Sequence, residues 1–202
     1  SGSHYPYNST NGGKVSTHVN DWGPVGAGER VGYFTFQINT SLISGTNFSF
    51  EVNDYSDFDI LWGDGNSDTS LSGTDDLLSH NYSSNGVYNV SVKGTASRIS
   101  FYEGEEDALV DILTNMSDGI TGINSSAEMF RDASNFGVTS LTEPAFFDDV
   151  SGEIISMYKM FENTDFFNEN ISSWNVSNVD TMESLFRYAD NFNQDLSSWD
   201  VS

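Results

Sequence analysis

The amino-acid sequence predicts a mainly β protein, in which a small antiparallel β-sandwich leads into a helix-capped solenoid of short repeats. Two observations carry this prediction. Apolar and polar residues alternate in short runs over the first half, and aromatic residues recur at a fixed spacing in the second half. The predicted parts are an extended arm, a sandwich, a capping helix and a solenoid, over residues 1–30, 31–103, 104–119 and 120–202.

Residues 1–30 have no clean hydrophobic periodicity and are rich in Gly, Ser, Asn and Tyr. This composition is typical of an irregular or extended segment. Two interpretations stay open, a loosely held terminus and an arm that docks on another surface. The first residue is Ser1 rather than Met, which fits a removed signal peptide and a trimmed or tagged chain equally well.

Short runs in the predicted sandwich alternate between apolar and polar residues. Such runs, separated by clusters of Gly, Asn, Asp and Ser, are typical of half-buried antiparallel strands. Several of them within about 70 residues favour a small sandwich. The residues expected to face its core are Phe34, Phe36, Ile38, Phe48, Phe50, Val52, Phe58, Ile60, Val90, Val92, Ile99 and Phe101.

One hairpin carries a more specific pattern, which consists of Trp62-Gly63-Asp64-Gly65, His80-Asn81-Tyr82 and Gly86-Val87-Tyr88-Asn89-Val90. This combination resembles the PKD-type immunoglobulin-like fold over roughly residues 45–94. The two glycines allow the positive φ that a tight turn requires, and Asp64 can cap backbone amides there. We expect Trp62 to supply a large buried area.

Residues 105–116 change to a helical period. Leu109, Ile112, Leu113 and Met116 would share one helix face, the acidic residues 105–107 favour its start, and Gly119 offers a stop. We therefore expect one amphipathic helix that covers the open end of the solenoid, because a terminal repeat otherwise exposes its apolar face.

The second half contains an internal repeat with a spacing of 25 residues. The recurring pairs are Met160-Phe161 with Leu185-Phe186, Phe167-Asn168 with Phe192-Asn193, Ser172-Ser173-Trp174 with Ser197-Ser198-Trp199, and Val176-Ser177 with Val201-Ser202. A degenerate copy lies 31 residues earlier, at Met129-Phe130 and Asn135-Phe136, with an insertion around Pro144. Each copy predicts a short helical turn and an extended segment, the latter over 171–179 in the second copy.

This repeat resembles the BspA-like short-repeat family of leucine-rich-repeat relatives over residues 125–202. A sandwich with a W-G-D-G turn often precedes the repeats in that family, so the two resemblances agree. The resemblance implies a leucine-rich-repeat-like coil, extracellular display and, for some members, adhesion. It implies neither catalysis nor a defined ligand.

Large residues at fixed repeat positions predict a core ladder, formed by Phe161, Phe167, Trp174, Phe186, Phe192 and Trp199. For the two tryptophans the alternative is a groove that binds a sugar or a peptide. The sequence stops at Val201-Ser202, within a copy and without a polar cap. Two expectations stay open: further repeats, or docking of this end onto a neighbouring subunit through its arm at 1–30, which would build filaments.

Acidic residues outnumber Lys and Arg by 30 to 7, which gives a net charge of −23. So negative a surface repels nucleic acid and anionic lipid, and we expect neither as a partner. The chain has no cysteine, which excludes disulfides, thiol catalysis and thiolate zinc sites. No stretch is apolar and long enough to cross a bilayer, so we expect no membrane insertion.

Asn-x-Ser/Thr triplets are more frequent than the composition alone predicts. They are candidate glycosylation sites and favour an extracellular or cell-surface location for a secreted glycoprotein. Their asparagines are Asn8, Asn39, Asn47, Asn81, Asn89, Asn115, Asn124, Asn170 and Asn175.

No pattern of catalytic residues is present, so we expect no enzyme. The three histidines lack the spacing of a metal pair, and neither a G-x-S-x-G elbow nor a phosphate-binding loop occurs. Calcium is the one cofactor with a candidate site, because carboxylate oxygens suit it. The candidate ligands are Asp54, Asp57, Asp59, Asp64 and Asp68, and the alternative is a set of solvated turn residues.

Two classes of function follow. The first is an interaction or structural module, such as an adhesin or a filament subunit, which binds protein partners or copies of itself. The second is a discrete domain that binds carbohydrate or calcium. Contacts spread over a wide face would favour the first, and saturable binding of one small ligand the second.

Overall fold

The computed structural model describes residues 32–102, 104–143 and 145–202, so the predicted arm over 1–30 lies outside the described residues. The described part holds seven β-strands and four short 3-10 helices but no α-helix, which confirms the mainly β class. The strands are β1 (Phe34–Asn39), β2 (Asn47–Leu61), β3 (Ser67–Asn81), β4 (Val87–Thr95), β5 (Arg98–Ser100), β6 (Leu109–Ile112) and β7 (Ile120–Thr121). The 3-10 helices span Thr40–Leu42, Glu106–Ala108, Met116–Asp118 and Ser151–Glu153.

All seven strands belong to one sheet. Its order is β3-β2-β4-β1-β6, with β5 paired to β2 and β7 paired to β4. Every pair is antiparallel except β4–β7, which is parallel. Strands β3 and β6 stand at the two ends of this order, so the sheet is not closed.

The residues that the alternation assigns to the core are all buried. The alternation breaks within β2, where Asp54 and Asp57 adopt positive φ and the register with β3 shifts. Such a bulge bends its strand. At this point β2 also changes its second partner, from β5 at residues 51–53 to β4 from Ser56 onward.

The prediction of a capping helix over 104–119 is wrong. This segment holds a 3-10 turn, strand β6 and a second 3-10 turn. Strand β6 pairs with β1, and the register shifts between Gln37 and Ile38, so that Leu109 and Ile112 are both buried. A bulge therefore produces the three-residue apolar spacing that otherwise indicates a helix.

The repeats form three units that lie side by side: unit 1 (125–155), unit 2 (156–180) and unit 3 (181–202). Parallel β-bridges join Ser125 to Ser156 and Ser156 to Thr181, at the spacings of the sequence repeat. Backbone amides of each unit donate to carbonyls of the next. Phe130 N donates to Met160 O and Phe161 N to Leu185 O, each at 3.0 Å.

The helical turn predicted inside each copy is also wrong. In unit 2, Lys159 and Asn163 adopt positive φ, and Met160 N donates to Met157 O three residues back rather than four. The amides of Lys159, Phe161 and Asn163 donate instead to carbonyls of unit 3, so the segment is a run of tight turns and not an α-helix. The stretch predicted to be extended, over 171–179, forms no strand; it has turns at 172–173 and 177–178, separated by residues without regular structure.

Strand β5 and the residue after it cover the open side of unit 1, where a helix was expected. Phe101 N donates to Met129 O at 2.9 Å, the same kind of bond that joins successive units. The Phe101 ring also stacks on Phe130, with 5.9 Å between centroids. Sheet and units share one continuous core, so the cap of the array is the sheet itself.

Candidate interaction surface of the repeat units

Six phenylalanine rings form two parallel stacks through the units. In the first stack the centroids are 5.5 and 5.7 Å apart, and in the second 5.7 and 6.1 Å. The members are Phe130, Phe161 and Phe186 in the first, and Phe136, Phe167 and Phe192 in the second. The four repeat phenylalanines singled out in the sequence therefore meet in space.

Unit 3 covers unit 2, whereas no described residue covers unit 3 in the same way. Val176 of unit 2 is 3 % exposed, and the matching Val201 is 75 % exposed. Phe161 is fully buried, but the matching Phe186 is only half-buried. Unit 3 therefore presents an apolar face, here called the end surface, formed by Phe186, Phe192, Leu196, Trp199 and Val201.

The two repeat tryptophans pack within the units. Trp174 is 3 % exposed and contacts Phe147 at 4.8 Å between centroids. Trp199 is half-buried, and its Nε1 donates to Ile171 O at 3.1 Å. Trp174 thus lies in the core and not in an open groove, and Trp199 lies at its edge.

A continuous chain of ion pairs runs along the turns of the units. It connects the side chains of Glu51, Arg98, Glu128, Arg131, Glu162 and Arg187, at successive N–O distances of 2.9, 3.8, 2.8, 2.9 and 3.2 Å. Lys159 adds a further cation at 3.4 Å from Glu162. Among the described Lys and Arg residues only Lys93 lies elsewhere, so this chain concentrates the positive charge of an acidic protein.

The sequence analysis missed this chain, although the repeat carries its signal. Arg131, Glu162 and Arg187 each follow the first stacked phenylalanine of their unit. The charge at this one repeat position therefore alternates in sign from unit to unit. Opposite charges at neighbouring positions of adjacent units attract each other, and so they help to fix the register.

The five candidate calcium ligands are not brought together as a set. Three of them accept hydrogen bonds from separate partners: Asp54 from Ser97 Oγ, Asp59 from Ser70 N, and Asp68 from Trp62 Nε1. Asp57 lies at the bulge of β2, and Asp64 accepts a hydrogen bond within its own turn. Within the described ranges no three His, Asp or Glu side chains are grouped so that they could hold a metal ion.

The W-G-D-G hairpin is held by its own side chains. Asp64 accepts from Asn66 N at 3.0 Å and lies 2.8 Å from His80 Nε2, and the His80 ring stacks on Trp62. Burial acts to raise the pKa of Asp64, but the hydrogen bonds with His80 and Asn66 outweigh it and lower this pKa. Gly63 has φ of +86°, and a Cβ there would lie 2.6 Å from Asn89 O.

The candidate glycosylation sites differ in exposure. Asn8 lies outside the described residues. The exposed asparagines are Asn81, Asn124, Asn170 and Asn175, and the half-buried ones are Asn39, Asn47, Asn89 and Asn115. Separately, none of the helices that the structure describes has the length and apolarity of a membrane span.

Comparison with known protein families shows a similarity in the second half of the chain. A family model described as Mycoplasma protein of unknown function, DUF285, matches residues 124–202. This range starts one residue before unit 1 and contains all three units, so the similarity concerns the repeats. No curated protein and no solved structure matches the chain.

Proposed function

We propose that the chain is an extracellular structural or adhesion module, displayed at a cell surface, which acts through contacts with other polypeptides. The array of repeat units is the observation that carries this proposal, because its units lie side by side through stacked phenylalanine rings and backbone bonds. Stacked repeats create the extended surfaces that repeat proteins use to bind other polypeptides.

We also propose a finer architecture, in which the sheet is a PKD-like sandwich and the units are a BspA-like, leucine-rich-repeat-like solenoid. The contacts of the W-G-D-G hairpin support the first assignment. The stacked phenylalanines and the unit-to-unit backbone bonds support the second.

An extracellular location is supported by the charge and by the asparagines. A net charge of −23 suits a solvated or salt-rich exterior. Four of the candidate glycosylation sites are exposed, as a glycosylated asparagine must be. In an extracellular filament or layer, subunits would join through head-to-tail contacts. Because such contacts do not form a closed ring, further subunits could be added at the ends of the assembly.

The test follows a tagged copy of the chain in cells that produce the protein. We expect it in the extracellular material, in assemblies visible by electron microscopy. Phe166→Asp places a charge on the outside of unit 2, where Phe166 is 48 % exposed, and should lower incorporation into this material. Val87→Asp is the matched control, because Val87 is 56 % exposed on strand β4.

A chain that stays inside the cell would refute the proposed location. Equal incorporation of the two variants would refute the role of the repeat units in these contacts. Saturable binding of one small carbohydrate, with no effect of either variant, would favour the second class of function instead.

A further inference from the structure

Two Asn-x-Ser triplets of unit 2 form the same kind of turn, in which the asparagine side chain accepts from a backbone amide two residues further on. Asn170 Oδ1 accepts from Ser172 N at 3.0 Å. Asn175 Oδ1 accepts from Ser177 N at 3.2 Å and from Ser177 Oγ at 2.8 Å. Such turns use only the oxygen of the side-chain amide. The amide nitrogen, Nδ2, donates no hydrogen bond within the described ranges at either asparagine.

Unit 3 shows that these turns do not require an amide nitrogen. At the matching positions it has Asp195 and Asp200. Asp195 Oδ1 accepts from Ser197 N at 2.9 Å, and Asp200 Oδ1 accepts from Ser202 N at 3.1 Å. Because a carboxylate forms the same turn, the amide nitrogens of the two asparagines in unit 2 have no role in the hydrogen bonds of the fold.

Other asparagines of the repeat units are held through Nδ2. Asn178 Nδ2 donates to Gly152 O at 2.8 Å, and Asn191 Nδ2 donates to Asp165 O at 2.7 Å. A bulky substituent on either nitrogen would compete with these bonds. The two turn asparagines of unit 2 are exposed and donate no such bond, so their amide nitrogens are available for chemical modification.

We propose that Asn170 and Asn175 carry N-linked glycans, and that the other six candidate sites among the described residues do not. This inference rests on the proposed function, because it concerns a chain that is exported. In the reaction, Nδ2 forms a bond to the anomeric carbon of a sugar that is activated as a diphosphate ester. The bond from this carbon to the phosphate oxygen breaks, the diphosphate leaves with the electron pair, and Nδ2 loses one proton.

Four of the other sites are half-buried, namely Asn39, Asn47, Asn89 and Asn115. A glycan is bulky, and its attachment requires an amide nitrogen that reaches solvent. Asn39 Oδ1 also accepts from the amide of Ser41, at 3.0 Å, so burial distinguishes this site from those of unit 2. In two of these triplets the hydroxyl belongs to a buried residue, Ser49 or Ser91.

The two remaining sites are exposed but do not hold a hydroxyl beside the asparagine. The hydroxyl in the triplet of Asn124 belongs to Ser126, which is fully buried and donates from Oγ to Ser156 O at 3.2 Å. Asn81 lies at the end of strand β3, and within the described residues no hydrogen bond joins its side chain to Ser83. Exposure of the asparagine alone therefore does not define the proposed sites.

The experiment purifies the chain from the extracellular material of the cells that produce it and maps attached sugars by mass spectrometry of proteolytic peptides. We expect sugar masses on the peptides that contain Asn170 and Asn175, and unmodified peptides for the other six sites. Ser172→Ala and Ser177→Ala should each remove one glycan mass from the intact chain, because the triplet loses its hydroxyl while the backbone bond of the turn stays. Ser172→Thr retains a hydroxyl and should retain the glycan.

Asn178→Asp is the matched control. Asn178 is exposed and lies three residues after Asn175, but its own triplet ends in Asp180 and has no hydroxyl. This variant loses the donor to Gly152 O, so it should lower the urea midpoint and leave the glycan masses unchanged. Ser172→Ala should remove a glycan and keep the urea midpoint of the chain produced without glycans, because Ser172 Oγ forms no hydrogen bond within the described ranges.

Unmodified Asn170 and Asn175 in the extracellular material would overturn the inference and leave the proposed function intact, and the two asparagines would then serve their turns alone. A glycan on any of the other six sites would also overturn it, and so would glycan masses that both alanine variants leave unchanged. A chain that stays inside the cell refutes the proposed location, and this inference with it, which the tagged copy shows without any sugar analysis.

Discussion

Glu162 is the residue on which most of the described cations converge. It is 3 % exposed, and Arg131, Lys159 and Arg187 lie within 3.4 Å of its carboxylate oxygens. Glu162→Gln should lower the free energy of unfolding by about 3–5 kcal/mol, because partly buried cations would lose their partner. Urea unfolding measures this loss.

The matched control for that variant is Glu183→Gln. Glu183 is exposed and forms no ion pair within the described ranges, so the expected change stays within about 0.5 kcal/mol. Equal unfolding free energies for both variants would mean that the ion pairs contribute nothing to stability.

Asp64 gives a pH-dependent prediction. Its pKa in the folded protein is lowered, so the stability from its ionised form is present above the unfolded pKa of about 3.9 and is lost as pH falls through the folded pKa. Asp64→Asn should cost about 1 kcal/mol at neutral pH. The difference between the two proteins should shrink towards zero in strong acid, as followed by denaturant unfolding across pH. A difference that is constant with pH would contradict the role of the carboxylate.

At the scale of single residues, the sequence predicted the buried core better than it predicted the polar contacts. Phe34, Phe36 and Ile38 are buried as their alternation predicts. The alternation of Arg131, Glu162 and Arg187 is equally visible in the sequence. These charges form ion pairs only where adjacent units lie side by side. The spacing of the residues along the sequence does not show that geometry, so the ion pairs could not be predicted from it.

At the scale of single elements, variants of Trp174 distinguish how much packing and how much hydrogen bonding contribute to stability. The indole is 3 % exposed, and its Nε1 has no acceptor among the described residues. Trp174→Ala should cost about 3–5 kcal/mol as a core truncation. Trp174→Phe should cost much less, because it retains an aromatic ring and removes an unpaired donor.

Thermal and urea unfolding of both variants test this prediction, with Trp199→Ala as the comparison. Because Trp199 is only half-buried, its truncation should cost less than that of Trp174. A variant that kept its unfolding free energy while losing affinity for a partner would instead indicate a binding groove.

The elements that the sequence mispredicted share a physical cause. In residues 109–112 a β-bulge gives a three-residue apolar spacing, and in the repeats positive φ at every fourth residue gives compact turns. Both produce the periodicity of a helix without its hydrogen bonds. The repeat spacing itself was predictable, because the stacked phenylalanines fix it and a slip by one residue would break both stacks.

At the scale of the whole molecule, Phe101 links the sheet to the units. It is fully buried and lies 4.9 Å from Phe36 and 5.9 Å from Phe130, between ring centroids. Phe101→Ala should lower the unfolding free energy by about 3–5 kcal/mol and retain a single transition, because one core spans both parts. Calorimetry that resolved two transitions in the unmodified chain would show that sheet and units unfold independently.

The central claim is that the repeat units over 125–202 bind other polypeptides in extracellular material. Hydrogen exchange of the amides in this range, compared between the isolated chain and that material, tests it most directly. Amides of the units that are exposed in the isolated chain should exchange more slowly in the material. Equal exchange rates in the two states would contradict the claim.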